Sequence, residues 1–128
     1  MNKQTIYSII ETPLFPDLTD LCQTTNYREF RFSSTRKAIS QLRTEKPDIV
    51  IGEFVYGYGN NYAGVNVSNL DVFLYSLQKY APEARVIVLV EKSERQYVDK
   101  LAAIFELHAV LSLPLSSSEL LPILQQNS

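Results

Sequence analysis

Two glutamates stand at positions where this chain could support chemistry. Glu11 follows an apolar run rich in β-branched residues. Glu53 lies near the end of a second run, 47–54, which is apolar on both faces as a buried central strand must be. Open α/β sheets bind their ligands at the carboxyl ends of such strands. If the two strands are neighbours, both carboxylates point into one crevice above the sheet, which makes this crevice the first candidate site.

A loop rich in tyrosine, glycine and asparagine follows Glu53 and is the second candidate. All four glycines of the chain lie between residues 52 and 64. Rigid aromatic side chains on an adaptable backbone are typical of binding surfaces. The Gly-Tyr-Gly triplet lacks a third glycine and a Walker lysine, so a phosphate-binding loop is not predicted. We expect contact with a partner through Tyr56, Tyr58, Asn60, Asn61 and Tyr62.

Cysteine and histidine, which often carry chemistry, occur once each. Cys22 excludes an internal disulfide, fits a reducing cytoplasm, and lies on the apolar face of a predicted helix as a buried thiol would. His108 has no cysteine or second histidine to join it, so neither a zinc site nor a His-dependent triad is predicted. It lies at the end of a predicted helix, where it can cap carbonyl groups. We therefore predict no enzyme activity, no metal and no cofactor.

Five strand patterns alternate with five helix patterns along the chain. The strands are predicted at 5–10, 27–32, 48–54, 85–90 and 109–113. Helices are predicted at 17–24, 35–45, 69–80 and 94–106, and a last one, short or late-starting because of Pro122, after capping residues 116–119. This alternation predicts an α/β fold in one domain, 1–128: a flavodoxin-like three-layer sandwich with a five-stranded parallel sheet in the order 2-1-3-4-5.

Composition and charge are those of an ordinary globular domain. The chain has 128 residues, of which 45% are hydrophobic and 20% charged. No apolar run approaches the roughly 18 residues of a membrane span, and no signal-peptide pattern opens the chain, so we predict a cytoplasmic protein without membrane contact. A basic stretch at 28–46 is predicted to be a solvated helix face. It contains Arg28, Arg31, Arg36, Lys37, Arg43 and Lys46.

Four local patterns, at spacings that fit this order of elements, resemble the receiver domains of bacterial two-component response regulators. The resemblance covers almost the whole chain. It implies the CheY-like fold and a role in signal transduction. The patterns are Pro47-Asp48-Ile49-Val50-Ile51-Gly52-Glu53, Ala81-Pro82-Glu83-Ala84-Arg85-Val86-Ile87-Val88-Leu89, His108-Ala109-Val110-Leu111, and Pro114 after the fifth strand.

The resemblance also implies which positions would carry the family's phosphorylation chemistry, and most have changed type. Receivers hold magnesium with an acidic pair and an acceptor aspartate, and contact the phosphoryl group with a hydroxyl and a lysine. The matching residues here are Glu11, Thr12, Glu53, Val90 and Leu113. Glutamate is one methylene longer than aspartate, valine donates no hydrogen bond and leucine carries no charge. We therefore predict a pseudo-receiver without phosphorylation, in which Glu53 is a water-exposed strand-end residue and not a mimic of the phosphorylated acceptor.

In the resembled family the output surface is the face of helix 4, strand 5 and helix 5, which here would include Tyr97, Lys100 and Leu111. We expect a protein partner in a signalling pathway and possible homodimerisation through this face, either for the chain alone or for the N-terminal receiver of a longer regulator. Three alternatives remain open. They are a phosphorylatable receiver with an altered acidic site, a small-molecule sensor with its ligand in the crevice under the 55–67 loop, and a nucleic-acid-binding module using 28–46, although nucleic acid is not the expected partner.

Overall fold

A computed structural model of the chain describes residues 4–24, 26–56 and 68–125. One sheet of five parallel strands has the order β2-β1-β3-β4-β5, which confirms the predicted flavodoxin-like architecture. Its strands are β1 (Gln4–Ile9), β2 (Tyr27–Phe32), β3 (Ile49–Glu53), β4 (Arg85–Glu91) and β5 (Ala109–Leu113). The helices are α1 (Thr19–Thr24), α2 (Thr35–Gln41), α3 (Asp71–Tyr80), α4 (Val98–Ala102) and α5 (Ser117–Leu124), with a 3₁₀ helix (Lys92–Tyr97) directly before α4.

The sheet separates two hydrophobic cores because its central strands are apolar on both faces. Val50 and Val88 face α2, α3 and α4, where they join Phe73 in one buried cluster. Ile51 and Ile87 face α1 and α5 in the other cluster. Burial of large aliphatic side chains on both faces contributes about 1.5–3 kcal/mol for each side chain, so β3 and β4 contribute strongly to the stability of the sheet.

The predicted helix at 94–106 differs most from the structure. Its first residues form the 3₁₀ helix, which begins after Glu91 without a side-chain cap, and α4 that follows has only five residues. The prediction of one continuous helix over 94–106 is therefore wrong. The capping box at Ser116 is present, and it starts an α5 that runs eight residues with Pro122 inside. No helix in the described ranges is long and apolar enough to cross a membrane.

Candidate functional site

The carboxyl ends of β1 and β3 lie side by side at the centre of the sheet. Ile9 pairs with Gly52 in the parallel register, so the segment that follows β1 passes directly over Glu53. The Glu53 carboxylate accepts hydrogen bonds from the backbone N–H groups of Glu11 and Thr12, both at 2.9 Å to Oε1. Its second oxygen, Oε2, accepts the hydroxyl of Thr12. Three of the predicted site residues are thus in direct contact.

Glu53 is buried, with only 2% of its surface exposed, so the prediction of a water-exposed strand-end residue is wrong. An ionised carboxylate is costly to remove from water unless hydrogen bonds replace its hydration. The donors that replace it are main-chain groups of Glu11 and Thr12, together with one hydroxyl. In this arrangement Glu53 fixes the segment after β1 against the end of β3.

Asn69, which is not among the predicted site residues, connects this site to the start of α3. Its Nδ2 donates to Oε2 of Glu11 at 2.9 Å and to the backbone oxygen of Glu53 at 2.8 Å. Its Oδ1 accepts the N–H of Val55 at 2.8 Å, and its own N–H donates to the Val55 carbonyl at 3.2 Å. The side-chain amide of Asn69 therefore makes three hydrogen bonds, and its backbone N–H makes a fourth. Its position in a polar Ser-Asn-Leu-Asp turn was the available signal.

Val90 and Leu113 belong to the hydrophobic cores, not to this polar network. Val90 is fully buried in the cluster on the α2, α3 and α4 side, and Leu113 is 4% exposed in the cluster on the α1 and α5 side. Neither side chain can donate a hydrogen bond to an anion. Within the ranges 4–24, 26–56 and 68–125, no three His, Cys, Asp or Glu residues are grouped closely enough to hold a metal ion.

The second cluster of predicted residues forms above the 3₁₀ helix. The Tyr56 and Tyr97 rings are stacked, with centroids 3.9 Å apart and planes 12° from parallel. The Lys100 ammonium lies 5.5 Å from the Tyr56 centroid and 5.9 Å from the Tyr97 centroid, within cation–π range. The Tyr56 N–H donates to Glu94 Oε1 at 3.1 Å. We call Tyr56, Tyr97 and Lys100 the tyrosine–lysine cluster.

The remaining predicted residues are placed as follows. Leu111 is half-buried and packs against the core on the α1 and α5 side, so it is not part of the tyrosine–lysine cluster. Cys22 is half-buried against that same core. The predicted carbonyl cap of His108 is not made by Nε2, which is buried without a hydrogen-bond partner among the described residues. Four of the five predicted loop contacts lie outside the described residues: Tyr58, Asn60, Asn61 and Tyr62.

Comparison with solved structures confirms the predicted receiver fold. The chemotaxis response regulator CheY4 of Vibrio cholerae is 15% identical, with a TM-score of 0.69 over 97% of this chain and 98% of that one. A signal receiver domain of an HD domain-containing protein from Pseudomonas fluorescens Pf-5 is 19% identical, with a TM-score of 0.70 over 98% and 94% of the two chains. The pilus assembly protein CpaE from Caulobacter crescentus CB15 is 16% identical, with a TM-score of 0.64 over 95% and 91%.

These similarities establish that the chain has the CheY-like receiver fold. No protein-family model and no curated protein matches its sequence.

Proposed function

We propose that this chain is a pseudo-receiver, a signalling or regulatory domain that binds a protein partner and is not switched by phosphorylation at the end of β3. The observation that carries the proposal is the state of the Glu53 carboxylate. It is 2% exposed, and both of its oxygens already accept hydrogen bonds from the protein.

Phosphoryl transfer to a carboxylate requires an oxygen that is free to attack in line with the leaving group, and cations that offset the charge of the transferring group. Oε1 of Glu53 is occupied by two backbone N–H groups, and Oε2 is occupied by the Thr12 hydroxyl. The acidic neighbour, Glu11, is engaged by Asn69. This arrangement favours a structural role for Glu53 over a role as phosphoryl acceptor.

The tyrosine–lysine cluster is the surface that we propose for the partner. Tyrosine supplies large contact area at low entropic cost and is enriched in binding hot spots. Tyr56 is 38% exposed at the start of the predicted contact loop. Its pairing with Ser68 in an antiparallel bridge closes the base of that loop. The exposed ammonium of Lys100 suits a partner that brings acidic side chains beside an apolar contact.

Two features bear on the other expected partners. The guanidinium of Arg28 is paired with Glu45, and that of Arg31 lies near Glu29, so part of the basic stretch is neutralised within the domain, which disfavours nucleic acid as the ligand. β5 is an edge strand whose first four residues are half-buried, and this leaves the face of α4, β5 and α5 as the proposed site for a second copy of the chain.

The phosphorylation claim is tested by titrating the chain with beryllofluoride and magnesium while amide NMR signals are recorded. We expect no change at Glu11, Thr12 or Glu53, because the carboxylate is buried and both of its oxygens already accept hydrogen bonds from the protein. Saturable shifts at these amides would contradict the proposal.

The surface claim is tested by comparing partner capture from the native cell by the wild-type chain and by single variants. Tyr97→Ala and Lys100→Glu are expected to reduce capture of a given partner at least about tenfold, as hot-spot substitutions do. Tyr75→Ala is the matched control, because this α3 tyrosine is 55% exposed and outside the cluster. Equal losses for Tyr75→Ala and Tyr97→Ala would argue against the cluster as the binding surface.

A further inference from the structure

The outer surface of α2 and of the segment that follows it carries positive charge that the domain itself does not neutralise. Four cationic side chains are exposed there, and none of them forms an ion pair with another described residue. The one acidic residue of the sequence between 33 and 46 is Glu45, which pairs with Arg28 of β2. The four residues, which we call the α2 basic face, are Arg36, Lys37, Arg43 and Lys46.

The helical turns of α2 continue past its last residue, Gln41, and this places two of the charges on one side. The N–H of Glu45 donates to the Gln41 carbonyl at 2.9 Å. Arg36 and Arg43 are seven residues apart, which is close to two helical turns, so they lie on the same side about 10 Å apart along the axis. α2 packs against β1, β2 and α3, and these exposed arginines point away from that packing.

Lys37 occupies a position where an acidic residue would stabilise the helix. The N-cap of α2 is Ser34, whose hydroxyl accepts the N–H of Lys37. At the N-cap of α5, Ser116 makes the same bond and the Glu119 side chain accepts the Ser116 N–H, which completes a capping box. A lysine side chain accepts no hydrogen bond, and a positive charge in the first turn opposes the helix dipole. The sequence thus places a cation here against local helix stability, which indicates a role for the charge outside the helix.

We propose that the α2 basic face binds a short acidic segment of another protein in an extended conformation. Side chains three residues apart in an extended chain are separated by about 9–10 Å, which matches the separation of Arg36 and Arg43. Arginine and lysine at this spacing pair with successive carboxylates of such a segment. The α2 basic face is separate from the tyrosine–lysine cluster, so this binding goes beyond the proposed function and does not depend on it.

The surroundings of the α2 basic face favour a peptide over nucleic acid or a membrane. The sequence between 33 and 46 contains no aromatic residue on which a base could stack. The large exposed hydrophobic side chains of the described residues all lie elsewhere, so none is available here to enter a bilayer. The net charge of the chain is -2, so without these four cations the rest carries -6. That charge repels a polyanion that extends beyond the face, whereas a short segment avoids it.

The test titrates the full chain at low salt with probes of matched charge while amide NMR signals are recorded. The peptide probe is (Glu-Pro-Pro)₄ with blocked termini, and the nucleic-acid probe is pentathymidylate without terminal phosphates. We expect saturable shifts of the Arg36, Lys37 and Arg43 amides with the peptide, and at least about fivefold weaker binding of pentathymidylate, because its bases find no stacking partner. Phosphatidylserine vesicles should not sediment the chain. Peptide shifts confined to other residues, equal affinity for pentathymidylate, or sedimentation with the vesicles would overturn the proposal.

Three variants locate the interaction and separate it from effects on folding. Lys37→Glu completes the capping box of α2, so it should raise the urea midpoint while it weakens peptide binding about fivefold. Arg43→Gln lies outside the cap and should weaken binding about threefold with the urea midpoint unchanged. Lys92→Glu is the matched control, because it makes the same change of charge at an exposed lysine that begins the 3₁₀ helix, and it should alter affinity less than about twofold. Equal losses in Lys37→Glu and Lys92→Glu, or wild-type affinity in Arg43→Gln, would refute the site.

Discussion

Shortening Glu53 by one methylene tests the central network most sharply. In Glu53→Asp the carboxylate retracts by about 1.5 Å, the length of one carbon–carbon bond. The contacts to the N–H groups of Glu11 and Thr12, now 2.9 Å, would then exceed hydrogen-bond reach. The variant places the receiver family's residue type at this position, yet we expect it to be the least stable substitution, because it leaves a buried charge without its donors.

The magnitude follows from the three hydrogen bonds. Each hydrogen bond to a charged group contributes about 1.5–3 kcal/mol net, but Glu11 and Thr12 are half-buried and their donors regain some hydration when the partner is lost. We expect the free energy of unfolding to fall by about 3–5 kcal/mol in Glu53→Asp, the range measured when one partner of a buried charged pair is removed. Glu53→Ala, which removes the charge as well, should cost about 2 kcal/mol. Glu53→Gln should cost about 1 kcal/mol, because its amide oxygen still accepts the two N–H groups.

Urea unfolding at neutral pH measures this series, with Glu91→Asp as the control. Glu91 ends the neighbouring strand β4 and is exposed, so its substitution should change the free energy of unfolding by less than about 0.5 kcal/mol. The reasoning is refuted if Glu53→Asp is as stable as the wild-type chain, or if Glu53→Gln is the most destabilised of the three.

Two further predictions concern groups on either side of this site. Asn69→Ala removes three side-chain hydrogen bonds, so it should lower the free energy of unfolding by about 2–3 kcal/mol and speed amide exchange at Val55. Substitution of the exposed Gln78 by alanine, the control, should have neither effect. Slow exchange at Val55 in Asn69→Ala would count against the role of Asn69. Burial, with the charge of Glu45 adding to it, raises the pKa of Tyr7 to about 12. Because this pKa lies above the unfolded value of about 10, the contribution of neutral Tyr7 to the free energy of unfolding is fully present below pH ~10. It is lost as pH rises through ~12. Tyr7→Phe should reduce that loss in urea midpoints measured against pH, and an unchanged alkaline loss would disprove the assignment.

The fold was predictable because it depends on apolar patterns formed by residues that are close together in the sequence. The runs of β3 and β4 are apolar on both faces, which specifies central strands of a parallel sheet. The α4 region was mispredicted because its helical pattern is local, whereas this segment also makes a tertiary contact. Glu94, expected inside a helix, accepts the backbone N–H of Tyr56, and the segment around it forms a 3₁₀ helix.

The candidate site was predictable in position but not in environment. The alternation of elements brings Glu11 and Glu53 to one edge of the sheet, as expected. The burial of Glu53 depends on main-chain N–H groups, which every residue except proline carries, and no residue type signals their direction. The stack of Tyr56 on Tyr97 likewise depends on how the segment after β3 crosses the 3₁₀ helix, which is a property of the tertiary structure.

The two possible roles of the β3 carboxylate compete because both use the same oxygens. An acceptor of a phosphoryl group must present an oxygen lone pair to the incoming phosphorus, with a metal ion close by. In this chain the oxygens of Glu53 accept hydrogen bonds from Thr12 and from the backbone after β1, and they fix that segment at the carboxyl end of β3. Freeing an oxygen for chemistry would break part of that network, at a cost of several kcal/mol against a total stability of only about 5–15 kcal/mol. Under the proposed function, regulation would therefore act through surfaces away from this carboxylate, such as the tyrosine–lysine cluster.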